Sequence, residues 1–138
     1  MRFIDVPSWV FHVYWDTPQN GGAHSNIIRN NVIHDFGYDD DRAAGILASS
    51  GAGNQVYNNT VYNGSNGIVV WRGCDGCMVL NNTVSKMNRC LEASNSANSI
   101  LENNELSNCR GLYFDIWGPT PGLIISNNEC DKSAAWCY

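Results

Sequence analysis

The sequence contains little charge and almost no lysine. Charged residues make up 15% of the chain, only Lys86 and Lys132 are lysines, and the formal net charge is −5. Because nucleic acids and anionic membranes are bound mainly by clustered Lys and Arg, this composition argues against both as partners. The chain also lacks any run of about 20 apolar residues, so no membrane-spanning helix is predicted.

The start of the chain lacks the apolar core of a signal peptide, because Asp5 and Pro7 interrupt it. Six cysteines in so lysine-poor a chain are more typical of disulfide partners in an exported protein than of cytosolic thiols. We therefore expect a secreted or cell-surface protein whose signal peptide is not present in this chain. The chain is then a mature protein or a fragment of a longer one.

The sequence is rich in asparagine and contains an internal repeat. It has 19 asparagines and 13 glycines, an excess that favours many short strands joined by tight corners. Five copies of an apolar strand end in an Asn-Asn pair, and the second asparagines are 28, 23, 22 and 24 residues apart, a period typical of a solenoid. The five pairs are Asn30-Asn31, Asn58-Asn59, Asn81-Asn82, Asn103-Asn104 and Asn127-Asn128.

Each repeat divides into a first strand, a second strand that ends at the asparagine pair, and a short third strand. The first strands align without gaps as residues 12–16, 45–49, 67–71, 90–94 and 111–115. Because side chains alternate along a strand, every second residue of each first strand points inward, and these residues are all apolar. The inward residues are Val13, Trp15, Ile46, Ala48, Ile68, Val70, Leu91, Ala93, Leu112 and Phe114.

Strands this short cannot bury an apolar face within one repeat, so successive repeats must stack in parallel. The predicted fold is all-β, a single-stranded right-handed parallel β-helix of about five turns. It forms one domain over residues 1–138, with an N-terminal cap or lead-in strand at 1–11, repeats at 12–131 and a C-terminal tail at 132–138. Asparagine suits the corners because it tolerates a left-handed backbone and bonds from turn to turn.

The segment Gly67-Ile68-Val69-Val70, followed by Asn81-Asn82-Thr83-Val84, resembles the right-handed parallel β-helix repeat family of the pectin-lyase-like superfold. The resemblance covers about residues 12–131 and implies the fold more strongly than the function, because relatives include lyases, hydrolases and adhesins. It also implies that carbohydrate binds on the first-strand face. The segments that mark polygalacturonase-like glycosidases are missing, so no reaction is fixed.

The outward positions of the first strands carry the candidate site. Glu92 and Asp115 lie on adjacent turns but in different columns, which predicts a separation of about 6–8 Å, suited to a two-carboxylate glycosidase. In a lyase, Arg89 or Arg110 would be the base. The predicted substrate-binding residues are Tyr14, Asp16, Trp71, Arg72 and Tyr113. The alternative is a solvated polar face with Arg–carboxylate pairs.

An acidic segment lengthens the first repeat. Asp39, Asp40 and Asp41 supply hard oxygen ligands that could hold Ca²⁺, although such loops are more often only solvated. The expected cofactor is therefore either none or Ca²⁺.

The cysteines admit 15 disulfide connectivities. Cys74 and Cys77 form a CxxC pattern, but no second CxxC supports zinc, so a disulfide is favoured. The repeat register places Cys90 and Cys109 at the starts of adjacent turns, and Cys130 and Cys137 both lie near the C-terminal end, so the expected pairs are Cys74–Cys77, Cys90–Cys109 and Cys130–Cys137.

Two functions are carried forward. The first is an extracellular module that binds a polysaccharide or oligosaccharide along the first-strand face, and cleaves it if the carboxylates act as a lyase or glycoside hydrolase site. The second is a non-catalytic structural or adhesive segment of a larger protein, with self-association through the open ends of the solenoid. Aromatic platforms favour the first function.

Overall fold

A computed structural model describes residues 2–3, 8–14, 22–37, 40–131 and 137–138. These residues form strands and no helix, and so none that could cross a membrane. The strands are β1 (Arg2–Phe3), β2 (Phe11–Val13), β3 (Ile27–Arg29), β4 (Val32–Phe36), β5 (Ala44–Ala52), β6 (Gln55–Tyr57), β7 (Thr60–Asp75), β8 (Met78–Leu80), β9 (Thr83–Ser94), β10 (Ile100–Glu102), β11 (Glu105–Ser107), β12 (Leu112–Trp117), β13 (Ile124–Ser126) and β14 (Glu129–Cys130).

All strand pairs in the described ranges are parallel, and they form two sheets. The second strands make a five-stranded sheet, whereas the first and third strands share a nine-stranded sheet. The third strand runs on into the next first strand in β7, which is 16 residues long, and in β9. The predicted all-β parallel solenoid is confirmed, but it makes about four turns rather than five, because five rungs are separated by four steps.

The two asparagines of each pair have different roles. The first has a positive φ of 54–57°, a left-handed conformation that asparagine tolerates better than most residues and that turns the chain at the corner. The second, in the three central pairs, is buried and only 1% exposed. Its side chain therefore belongs to the interior of the corner and not to the surface.

The second asparagines form a hydrogen-bonded ladder along the solenoid. Asn59 donates its backbone N–H and its side-chain amide to Oδ1 of Asn82, at 2.9 and 3.0 Å. Asn82 makes the same two bonds to Asn104, and Asn104 makes them to Asn128. The main-chain oxygen of Tyr138 accepts the last two bonds from Asn128. The ladder satisfies buried donors that the corner would otherwise leave without partners.

The core lies inside the solenoid, where the inward first-strand residues stack from rung to rung. Ile46, Ile68 and Leu91 pair in one column and are at most 1% exposed. Ala48, Val70 and Ala93 form the next inward column. These inward predictions for the three central rungs are confirmed, because alternation sends every second side chain to the same face.

The register of the first and last rungs differs from the gap-free alignment by two residues. Val13 pairs with Ala48, not with Ile46, and Phe114 pairs with Leu91, not with Ala93. The prediction that Leu112 is a core residue is wrong, because it pairs with Arg89 and is 47% exposed. A two-residue shift keeps the same face inward, so the hydrophobic pattern does not detect it. Trp15 lies outside the described residues.

Three disulfides connect the six cysteines in the predicted way. Their pairs are Cys74–Cys77, Cys90–Cys109 and Cys130–Cys137. The first two are buried within the solenoid, and the third attaches the end of the chain to the last rung. These bonds are compatible with an extracellular protein, since disulfides persist in oxidising compartments.

Candidate functional site

The outward side chains of β2, β5, β7, β9 and β12 form a surface that we call the outer face. Cα pairing places them in two columns that run along the solenoid axis. The carboxylate column contains His12, Leu47, Val69, Glu92 and Asp115. The aromatic column contains Ser49, Trp71, Ser94 and Trp117.

Glu92 and Asp115 lie directly opposite each other in the carboxylate column. The prediction that they occupy different columns is wrong, because the last rung is shifted by two residues. Neighbouring strands in a sheet are about 4.8 Å apart, so the two side chains leave the sheet closer together than the predicted 6–8 Å. The shift therefore brings the two acids together instead of separating them.

Burial raises the pKa of the Glu92 carboxyl. The negative charge of Asp115 raises it further, whereas the hydrogen bond from Trp117 and the positive charge of Arg89 act in the opposite direction. Because burial has the largest influence, Glu92 holds its proton to a higher pH than an ordinary glutamate does. Such a group is suited to donating a proton.

Arg89 is placed to hold Asp115. Its Nε lies 2.9 Å from Oδ2 of Asp115, and its side chain also donates to the backbone oxygen of Asp41 and to Oδ1 of Asn66. The other arginine proposed as a base, Arg110, is exposed and donates to the backbone oxygen of Gly64. The geometry favours an ion-pairing role for Arg89.

Trp117 is the residue of the outer face that sequence reasoning missed. Its indole N–H donates to Oε1 of Glu92 at 3.0 Å, and the residue is 46% exposed. The alignment without gaps ends the last of the first strands at Asp115, so it places Trp117 in no column. A comparison of Ile116-Trp117 with Val70-Trp71 could have revealed the shift, because both are an inward aliphatic residue followed by tryptophan.

Trp71 lies on the outer face as predicted from the sequence, but it also has a packing role. It contacts a small hydrophobic cluster formed by Ala44, Leu47 and Val69. The guanidinium of Arg72 lies 5.9 Å from the centroid of the Trp71 ring, within the range of a cation–π contact. Trp71 is therefore held in place, and its removal would also cost stability.

Tyr14 directly follows β2 and lies near the start of the aromatic column. It is 37% exposed, and its ring centroid is 5.0 Å from that of His12. His12 lies 3.3 Å from the Ser49 hydroxyl through Nε2, and burial lowers the pKa of its imidazole. Asp16, the other predicted binding residue of this rung, lies outside the described residues.

Tyr113, another predicted binding residue, does not lie in the aromatic column with Trp71. It precedes Phe114 on β12, and its hydroxyl donates to the carboxylate of Asp131 in the third-strand region. Burial, together with this bond and the charge of Asp131, raises the pKa of Tyr113 to about 12. The hydroxyl thus belongs to the C-terminal end of the solenoid.

The acidic segment lies next to Arg89. Asp40 accepts a bond from the backbone N–H of Arg42 at 2.9 Å and pairs with its side chain. Asp39 lies outside the described residues, and in the described part of the chain no three His, Cys, Asp or Glu side chains form a group that could hold a metal ion. Ca²⁺ binding by Asp39, Asp40 and Asp41 stays a prediction.

The outer face thus combines aromatic side chains with two neighbouring carboxylates, a combination suited to ring-shaped polar ligands. A family model described as a right-handed beta helix region matches residues 19–137. Comparison with curated proteins and with solved structures found no match for the chain.

Proposed function

Because this chain belongs to the right-handed beta helix family, we propose that its outer face binds a polysaccharide. The observation that carries the proposal is the aromatic column, in which Trp71 and Trp117 lie two rungs apart on either side of Ser94. Flat aromatic rings provide apolar surface for the C–H faces of sugars. Glu92 in the neighbouring carboxylate column, and Arg89, which pairs with Asp115 in that column, offer hydrogen bonds to sugar hydroxyls.

Location outside the cell is part of the same proposal. Three disulfides support it, and an extracellular module would meet polysaccharides in walls, matrices or secretions. The alternative function is non-catalytic: the chain would be a structural or adhesive segment of a larger protein. The observation that favours this alternative is the apolar surface of the last rung in the described part of the chain, where Leu112 and Ile124 are 47% and 52% exposed.

We expect Trp117→Ala to weaken binding to immobilised glycans about five-fold, because the loss of one aromatic platform costs on the order of 1 kcal/mol. The matched control is Leu112→Ala, on the same strand and equally exposed but with its side chain directed to the other side of the sheet. A glycan array probed with the three proteins gives the comparison. If neither wild type nor variant binds any glycan, the proposed function is wrong.

A second candidate, glycoside hydrolysis, is favoured by the carboxylate pair. Glu92, with its raised pKa, would be the general acid, and Asp115, ion-paired with Arg89, would be the nucleophile or base. The two carboxylates project from directly opposite positions on adjacent strands, which favours the short carboxyl separation of retaining glycosidases, ~5–5.5 Å, over the ~6.5–9.5 Å of inverting ones. Retention of configuration is therefore the expected outcome.

A further inference from the structure

The aromatic column has a regular period that the carboxylate column lacks. Trp71 and Trp117 alternate with Ser49 and Ser94, so bulky rings occupy every second rung and small residues occupy the rungs between them. Tyr14 extends the alternation if the register of β2 continues by one residue, because it directly follows Val13, which pairs with Ala48, the neighbour of Ser49. The period along the solenoid axis is two rungs, about 9.6 Å.

The serines between the aromatic residues leave only the rings exposed in this column. Ser49 and Ser94 are fully buried, and Ser94 lies between the two tryptophans in the ladder. Because neither serine reaches the surface, the aromatic rings supply the exposed area of the column, and their spacing of two rungs sets the interval at which it repeats. A ligand that uses all the platforms must present a similar face at the same interval.

We propose that the aromatic column recognises an extended β-1,4-linked glycan chain lying parallel to the solenoid axis. In such a chain each sugar is turned over relative to its neighbours, so every second ring presents the same face to one side. The length of its disaccharide unit is close to two rung spacings. Rings one, three and five would then lie over Trp117, Trp71 and Tyr14.

This inference rests on the proposed function and adds the linkage class of the ligand. In helical glycans, such as β-1,3-linked glucans, successive rings are rotated about the chain axis. Their rings therefore cannot face three platforms that lie on a straight line. Selection by linkage is therefore expected even where the sugar, the charge and the chain length are identical.

Calorimetric titration of the wild-type protein with cellohexaose and laminarihexaose tests the linkage directly, because both are glucose hexamers without charge. We expect cellohexaose to bind at least about ten-fold more tightly. Affinity should rise from cellotriose, which spans two platforms, to cellopentaose, which spans three, and then level off at cellohexaose.

Tyr14→Ala removes the third platform and should abolish the gain between cellotriose and cellopentaose while leaving cellotriose affinity unchanged. Tyr57→Ala, on the second-strand sheet, is the matched aromatic control and should change neither. Equal binding of both hexaoses, or affinity independent of length, would overturn the linkage inference and leave glycan binding intact. Absence of binding to any glycan would overturn both.

Discussion

Asn82→Ala should destabilise the protein by about 3 kcal/mol, because Oδ1 of Asn82 accepts the buried backbone N–H of Asn59 and alanine offers no replacement. Oδ1 of Asn82 accepts the backbone N–H and the side-chain amide of Asn59, and its own amide donates to the backbone oxygen of Val56. Alanine leaves the buried backbone N–H of Asn59 without this acceptor, at a cost of about 1–3 kcal/mol, and removes further ladder hydrogen bonds worth about 1 kcal/mol each. Thermal unfolding should shift down by roughly 10 °C.

The neighbouring asparagine provides the control. Asn81 is exposed and has a φ of 54°, so Asn81→Gly keeps the left-handed corner and removes no ladder bond. Its free energy of unfolding should stay within about 0.5 kcal/mol of wild type. Equal destabilisation by the two substitutions would contradict a specific contribution of the ladder to stability.

Glu92→Gln should lower hydrolysis of a bound glycan about 10²–10⁴-fold if the carboxylate pair is catalytic, because glutamine cannot supply the proton to the leaving oxygen. Affinity should change little, since glutamine keeps the shape of the side chain and an oxygen to accept the Trp117 N–H. The measurement is turnover and calorimetric binding on the same oligosaccharide. Asp115→Asn should give a similar loss.

The pH dependence follows from the direction of the Glu92 shift. Burial raises its pKa, so the protonated, proton-donating form persists to a higher pH than in a free glutamate, and activity is lost as pH rises through the folded-state value. Hydrolysis should therefore have a basic limb that Glu92→Gln removes along with the activity. A wild-type protein that binds glycans without hydrolysing them would contradict the catalytic candidate and leave a binding module.

The repeat, and the side of each central first strand that faces the core, could be predicted from the sequence for a physical reason. Paired asparagines recur at each corner, and alternation in residues such as Ile68 and Val70 fixes which side faces the core. The three disulfides followed because the register brings Cys90 and Cys109 to adjacent rungs. Each of these features depends on spacing that remains visible in the linear chain.

The register of the end rungs could not be predicted in the same way. A shift of two residues leaves the alternation unchanged, so the hydrophobic pattern does not distinguish Phe114 opposite Leu91 from Phe114 opposite Ala93, and the only sequence signal is the match of Ile116-Trp117 with Val70-Trp71. That shift decides the site, since it sets Asp115 opposite Glu92 and adds Trp117 to the column of Trp71. The hydrogen bond between Trp117 and Glu92 follows from folded geometry alone.

The most direct test of the outer face is the response of the tryptophan indole N–H signals to a glycan in solution. The chain has five tryptophans, so a ¹H–¹⁵N spectrum resolves few such signals, and Trp71→Phe and Trp117→Phe assign the two that matter. On titration with the hexasaccharide that binds most tightly on the array, the signals of Trp71 and Trp117 should shift together while backbone amides of β6, β8 and β10 stay in place. Shifts confined to the second-strand sheet, with both indole signals unchanged, would contradict the proposed binding face.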